Sequence, residues 1–98
     1  MNEQMIDELA RLFSEPRSER ETAVFLQGML TPAEIEEVFF RWRLMRRLMH
    51  GETQRAISSA LGVSLGKIAR GSRLLKYGPP AFRELLERFD SRLEEPGA

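Results

Sequence analysis

Apolar residues recur every three or four positions along almost the whole chain, and no run alternates as a half-buried strand would. The pattern predicts an all-α protein. Met5, Ile6, Leu9, Leu12 and Phe13 share one face of a first helix, which Pro16 breaks. Ser18 and Glu21 form an S-x-x-E capping box that opens a second helix through Val24, Phe25 and Leu26, and Gly28 weakens its end. Thr31-Pro32-Ala33-Glu34 is the sharpest start signal. Thr caps, Pro takes the first helical position without losing a needed N–H, and the acid reaches back. A third helix is expected from Pro32 to about His50, stopped by Gly51.

The apolar set of that third helix is Ile35, Val38, Phe39, Phe40, Trp42, Leu44, Met45, Leu48 and Met49, far more than one stripe. A chain of 98 residues supplies few neighbours for so many faces, so a homodimer with a shared core is expected. Thr53 caps a short helix from Gln54 to Leu61 that ends at Gly62, and Ser64 caps another from Leu65 to about Lys76. Tyr77-Gly78-Pro79-Pro80 is a stop and turn. A last amphipathic helix carries Phe82, Leu85, Leu86, Phe89 and Leu93, and the tail Glu94–Ala98 is expected to fray. With no repeats or linkers, residues 1–98 read as a single helical domain.

Composition narrows the function. There is no Cys, which excludes disulfides, Cys-ligated zinc and thiol catalysis. The lone His50 cannot by itself build a metal site or a Ser-His triad, and Ser58, Ser59, Ser64 and Ser72 have no nearby His base. No enzyme and no metal are therefore expected. No apolar stretch approaches the roughly 20 residues that span a bilayer, and MNEQMIDELARLF lacks the basic start of a signal peptide. A cytoplasmic protein without a membrane partner is expected.

The formal net charge is zero but unevenly spread. Residues 1–40 carry three Arg against nine acids, and residues 77–98 three Arg against five acids. Between them, residues 41–76 carry nine Lys and Arg against Glu52 alone. One face suited to a polyanion is the natural reading, with a merely solvated basic helix surface as the alternative.

The same segment contains QRAISSALGVSLGKIARG, residues 54–71, with the spacing of a helix-turn-helix extending over about residues 53–76. Ile57 and Leu61 face inward, Gly62 makes the turn, and Val63 and Ile68 continue the core. Ser58 stands where a small apolar residue is usual, and Gly71 where a larger one would pack. Operator double-stranded DNA is the expected partner. Gln54 and Arg55 open the first short helix, whose N–H groups attract a phosphate, and Arg55 can pair with guanine. Leu65, Gly66 and Lys67 start the recognition helix. Leu65 suits a thymine methyl, and Gly66 permits close approach. Arg73 and Lys76 lie further along and suit phosphates.

MLTPAEIEEV, RLMHGE, TQRAI, LGVS and IARGSRLLK resemble successive motifs of the bacterial Trp repressor family over about residues 29–90. That family is itself an established example of helix-turn-helix docking. The resemblance implies a six-helix, intertwined homodimer and a repressor activated by L-tryptophan as small-molecule corepressor. Arg41 and Arg70 would sandwich the indole, and Arg70 would hold the carboxylate. Thr31 and the carbonyls around Leu30, from the partner chain, would lie near the amino group. Gly71 would let the ligand approach the helix backbone, and Met45 would floor the ring. The chain departs from the family pattern at Leu74, where a serine is usual, at Gly28 and Ala69, and by one residue fewer before Thr53. These departures keep a second reading open: a regulator of the same fold with no corepressor or a different small molecule. A helical protein-interaction module is a third.

Overall fold

The computed structural model describes residues 2–94 and consists there of six helices. They are α1 (Glu3–Phe13), α2 (Glu19–Met29), α3 (Pro32–Met49), α4 (Gln54–Leu61), α5 (Leu65–Tyr77) and α6 (Pro80–Glu94). The expected fraying beyond Glu94 lies outside the described residues. The chain divides into two compact units, one through Glu36 and one from Glu37.

In the N-terminal unit, the Asn2 side chain caps α1 by accepting the Met5 N–H at 2.9 Å. The helix ends two residues earlier than Pro16 requires. At Ser14 both the N–H and the hydroxyl turn back onto the Ala10 carbonyl, at 3.1 and 2.7 Å, which closes the last turn locally. Ser18 caps α2 through the Glu21 N–H at 3.1 Å, but the Glu21 carboxylate accepts the N–H of Arg17, not that of Ser18. The box is thus displaced by one residue. Gly28 does not end α2. The helix continues to Met29 and the Leu30 N–H still reaches the Leu26 carbonyl at 3.0 Å, because one glycine costs only about 1 kcal/mol against continued bonding.

Phe13 meets Phe25 edge to face, with centroids 5.0 Å apart. Yet no residue of α1 or α2 is buried, and the stripe Met5, Ile6, Leu9, Leu12 and Phe13 stays 39–52% exposed. The capping box at Thr31 is complete. Its hydroxyl accepts the Glu34 N–H at 3.2 Å and its N–H donates to the Glu34 carboxylate at 2.9 Å. The Thr31 N–H, followed by its hydroxyl, holds the Glu34 carboxyl below its usual range.

The C-terminal unit is built on Leu44, Met45, Ile57, Ile68 and Leu75, with Leu48, Met49, Leu61, Val63, Phe82 and Leu86 packed around them. α3 ends as Gly51 enters the left-handed region at φ +85°. There Gly51 N–H bonds the Leu48 carbonyl and Glu52 N–H the Arg47 carbonyl, both at 3.1 Å, the two bonds of a Schellman motif. Trp42 and Phe89 pack with centroids 5.3 Å apart, joining α3 to α6.

Asp90 completes the join. Its Oδ1 accepts from Arg46 Nε and its Oδ2 lies 2.7 Å from His50 Nε2. The Arg46 hydrogen bond, aided by His50 and opposed by partial burial, holds the Asp90 carboxyl below the usual carboxylate range. A carboxyl whose folded pKa is depressed contributes stability that is complete above its unfolded value, about 3.9, and lost as pH falls through the folded value. Asp90→Asn should therefore lower the urea midpoint at neutral pH, and its gap from the wild type should close below about pH 4. A gap that persists unchanged into stronger acid would show that the carboxylate charge contributes nothing.

Candidate nucleic-acid interface

A short polar side chain starts each of the helices α4 and α5. Thr53 Oγ1 accepts the Ala56 N–H at 3.1 Å to start α4, and Ser64 Oγ accepts the Lys67 N–H at 3.3 Å to start α5. Between them Gly62 adopts φ +67°, a conformation that costs a side-chain-bearing residue about 1 kcal/mol or more. Ser58 explains itself here. Its hydroxyl donates to the Val63 carbonyl at 2.8 Å and ties α4 to the turn, a task that a small apolar residue could not perform. Ile57 of α4 and Ile68 of α5 are both fully enclosed, which fixes one helix across the other.

The faces of α5 follow. Ile68, Gly71, Ser72 and Leu75 are buried. Gly66, Arg70, Arg73 and Tyr77, at steps of four, three and four, form an exposed stripe on the opposite side. Leu65, Lys67 and Lys76 are exposed on its flanks. The residues expected to meet DNA thus reach solvent without exception: Leu65, Gly66, Lys67, Arg73 and Lys76 along α5, and Gln54 and Arg55 in the first turn of α4. Tyr77 is 83% exposed and shares the stripe of Arg70 and Arg73. Tyr77 stands inside the Tyr77-Gly78-Pro79-Pro80 stop signal, yet the helical period of α5 puts it on that face.

The residues expected around a corepressor divide. Arg41 and Arg70 are exposed guanidiniums on α3 and α5, whereas Met45 and Gly71 are buried. A Cβ on Gly71 would stand 2.8 Å from Leu44 Cδ1 and 3.4 Å from Met45 Cε, so α3 side chains occupy the space beside this glycine. Thr31 and Leu30 belong to the N-terminal unit, where Thr31 serves as the cap of α3 and Leu30 is half-buried. Leu74, where the family pattern has serine, is 38% exposed. Among the described residues no group of three metal-ligating side chains occurs, and no helix is long and apolar enough to cross a membrane.

The family model described as Trp repressor protein matches residues 4–90. A Trp operon repressor homolog of Chlamydia trachomatis serovar L2 (strain ATCC VR-902B / DSM 19102 / 434/Bu) is 41% identical over 69 residues, covering 65% of this chain and 73% of that protein. One from Photobacterium profundum is 39% identical over 69 residues, covering 69% of this chain and 67% of its own. Another, from Xylella fastidiosa (strain M23), is 32% identical over 75 residues, covering 76% and 82%. No solved structure matches the chain significantly. Six helices without a strand among the described residues agree with an all-α repressor fold. The chain belongs to the Trp repressor family, whose members are regulators of transcription rather than enzymes.

Proposed function

We propose that this chain is a sequence-specific DNA-binding repressor that works in the cytoplasm as a homodimer, with residues 1–98 forming one functional domain and L-tryptophan as corepressor. One observation carries the reading. The basic segment 41–76 coincides with a helix-turn-helix whose second helix turns Gly66, Arg70, Arg73 and Lys67 outward. In this reading α5 enters a major groove by its N-terminal residues. Leu65 meets a thymine methyl, Gly66 lets the backbone approach, and Lys67 reaches a base edge or phosphate. Gln54 and Arg55 present the N-terminus of α4 to a phosphate. Arg73 and Lys76 clamp the backbone and set the register. Two such helices, one per protomer, would meet successive major grooves, which in B-DNA lie about 34 Å apart.

The uncovered stripe of α1, together with exposed Val38, Phe39, Leu85 and Phe89, supports the homodimer. Arg41 and Arg70 have the chemistry to stack on an indole, and Arg70 to hold a carboxylate. A bound corepressor would supply a prop between α3 and the reading helices. By linkage, DNA would then tighten its binding by the same factor. A second reading, regulation without tryptophan, is favoured by Leu74 and by the Leu44 and Met45 side chains that fill the space beside Gly71.

Calorimetric titration of L-tryptophan into the purified protein decides between them. Heat at about one site per chain, lost in Arg70→Ala, together with tighter DNA binding at saturating tryptophan, is the expected result. Absent heat at several temperatures, with DNA binding intact, would transfer the assignment to the second reading.

A further inference from the structure

Tyr77 is the one tyrosine in the sequence and, at 83%, the most exposed large apolar side chain among the described residues. A single exposed aromatic needs no explanation by itself. Tyr77 differs in its company. It ends the outward stripe of Gly66, Arg70 and Arg73 on α5. Eleven residues are close to three turns, so Tyr77 falls within about 20° of Gly66 around the helix axis. Among the described residues, neither the Tyr77 hydroxyl nor the side chains of Arg70, Arg73 and Lys76 meet a hydrogen-bonding, ionic or aromatic partner. Cations elsewhere do find carboxylates, Arg47 at Glu52 and Arg83 at Glu87. Residues 54–77 contain no Asp or Glu, so α4 and α5 bring no anion of their own to this face.

The side chain is also fixed at its root. The Gly78 N–H donates to the Leu74 carbonyl at 2.9 Å, which closes the last turn of α5, and α6 starts at once from Pro80. Buried Ile68, Ser72 and Leu75 seat the opposite side of the same helix. A tyrosine has only two side-chain torsions, so ordering it against a partner costs little entropy for the area it covers. With the first turn of α5 in a major groove, Tyr77 stands about 17 Å further along the axis than Gly66, more than the groove's width of about 12 Å. The helix has by then left the base edges, and its outward stripe has come level with the sugar-phosphate wall. A phenol at that level offers an O–H donor to a phosphate oxygen and a flat apolar ring to the sugar.

On the repressor reading, we infer that Tyr77 is a contact to the DNA backbone, its hydroxyl donating to a phosphate oxygen and its ring lying against the adjoining deoxyribose. The contact fixes the far end of α5 without reading a base. Its lack of charge gives it a signature. A cation that neutralises a phosphate releases counterions and adds to the salt dependence of binding, whereas a neutral donor strengthens binding and leaves the slope alone.

The test is the affinity of the full-length protein for a short mixed-sequence duplex across a range of salt. Tyr77→Phe is expected to bind about tenfold more weakly at every salt concentration, with the slope of log affinity against log salt unchanged. Tyr77→Ala should lose more, because the ring goes with the hydroxyl. The melting temperature of Tyr77→Phe should stay close to that of the wild type, since so exposed a side chain adds little to stability. Fluorotyrosine in place of the one tyrosine gives a single fluorine resonance, which should shift saturably as duplex is added. Tyr77→Phe binding as tightly as the wild type overturns the contact. So does a flattened slope, which would trace the loss to a displaced cation, and so does weaker binding with an unmoved fluorine resonance, which would place the loss away from the duplex. Binding indifferent to Tyr77 leaves the repressor reading standing. A wild type that binds no duplex at any salt concentration removes that reading and the Tyr77 contact together.

Discussion

Replacing Ile68 with alanine is expected to destabilise the protein by about 3 kcal/mol, within the usual range for truncating an enclosed Ile. Ile68 is completely excluded from solvent and lies in one cluster with Ile57, Leu44, Met45 and Leu75. The missing methyl groups remove transfer energy, and the cavity adds a further term because close-packed neighbours relax only partly. For a domain of this size each kcal/mol shifts the melting temperature by about 4–8 °C, so a drop of at least about 12 °C is expected at fixed protein concentration. Ile57→Ala should cost a similar amount. The double variant should fall short of the sum, since both side chains border one cavity. A loss below about 1 kcal/mol for either single variant would show that α5 is not seated through these residues.

DNA affinity should fall by about a thousandfold or more between 50 and 200 mM salt, as it does for proteins that engage six to ten phosphates. Arg55, Lys67, Arg73 and Lys76 are four exposed cations on α4 and α5, and a homodimer brings them twice. Each phosphate neutralised releases condensed counterions, and the slope of log affinity against log salt counts them at about 0.9 apiece. Arg73→Gln should lower affinity nearly equally for all sequences and flatten the slope, because a phosphate contact fixes register without reading bases. Leu65→Ala should leave the slope alone and relax preference at one base pair. An affinity that ignores salt would remove the operator from the account and favour a protein-binding module.

Much of this was legible from local chemistry. A cap needs only a short oxygen-bearing side chain and an N–H two or three residues on. Thr31, Thr53 and Ser64 therefore announced their helices, and Gly51 and Gly62 their ends. The turn of the reading helices and the outward face of α5 followed from the same period. What escaped depends on backbone detail or on distant partners. The Glu21 carboxylate serves Arg17 instead of Ser18 because the entry path of the chain, not the motif, decides which N–H lies nearest. Arg46 and His50 are 40 or more positions from Asp90 in sequence, and no spacing rule links them to it.

Around the candidate ligand site the limits are of the same kind. A glycine in a buried helix face signals that something comes close, and the sequence offered a ligand as the reason. The neighbours found there are Leu44 and Met45, which only the packing of α3 could show. The guanidiniums of Arg41 and Arg70 were legible as charges, and the exposure of Arg70 follows from the helical period that places Ile68 and Gly71 inward. Arg41, three and four positions before buried Leu44 and Met45, shares their side of α3 and is exposed all the same.

The enclosed pair Ile57 and Ile68 sits on either side of a single tight turn, and the rest of the core comes from the helices just before and after it. Closing such short loops costs little chain entropy, and structures dominated by near-neighbour contacts fold fast. The C-terminal unit can therefore assemble almost as soon as it is synthesised. The helices α1 and α2, which precede it in chain order, leave the ribosome earlier with an apolar stripe that nothing in their own unit buries. Under the homodimer reading that stripe waits for a second chain. Its exposure time is then set by how quickly two newly made copies meet, which makes the rate of expression a determinant of the yield of soluble protein.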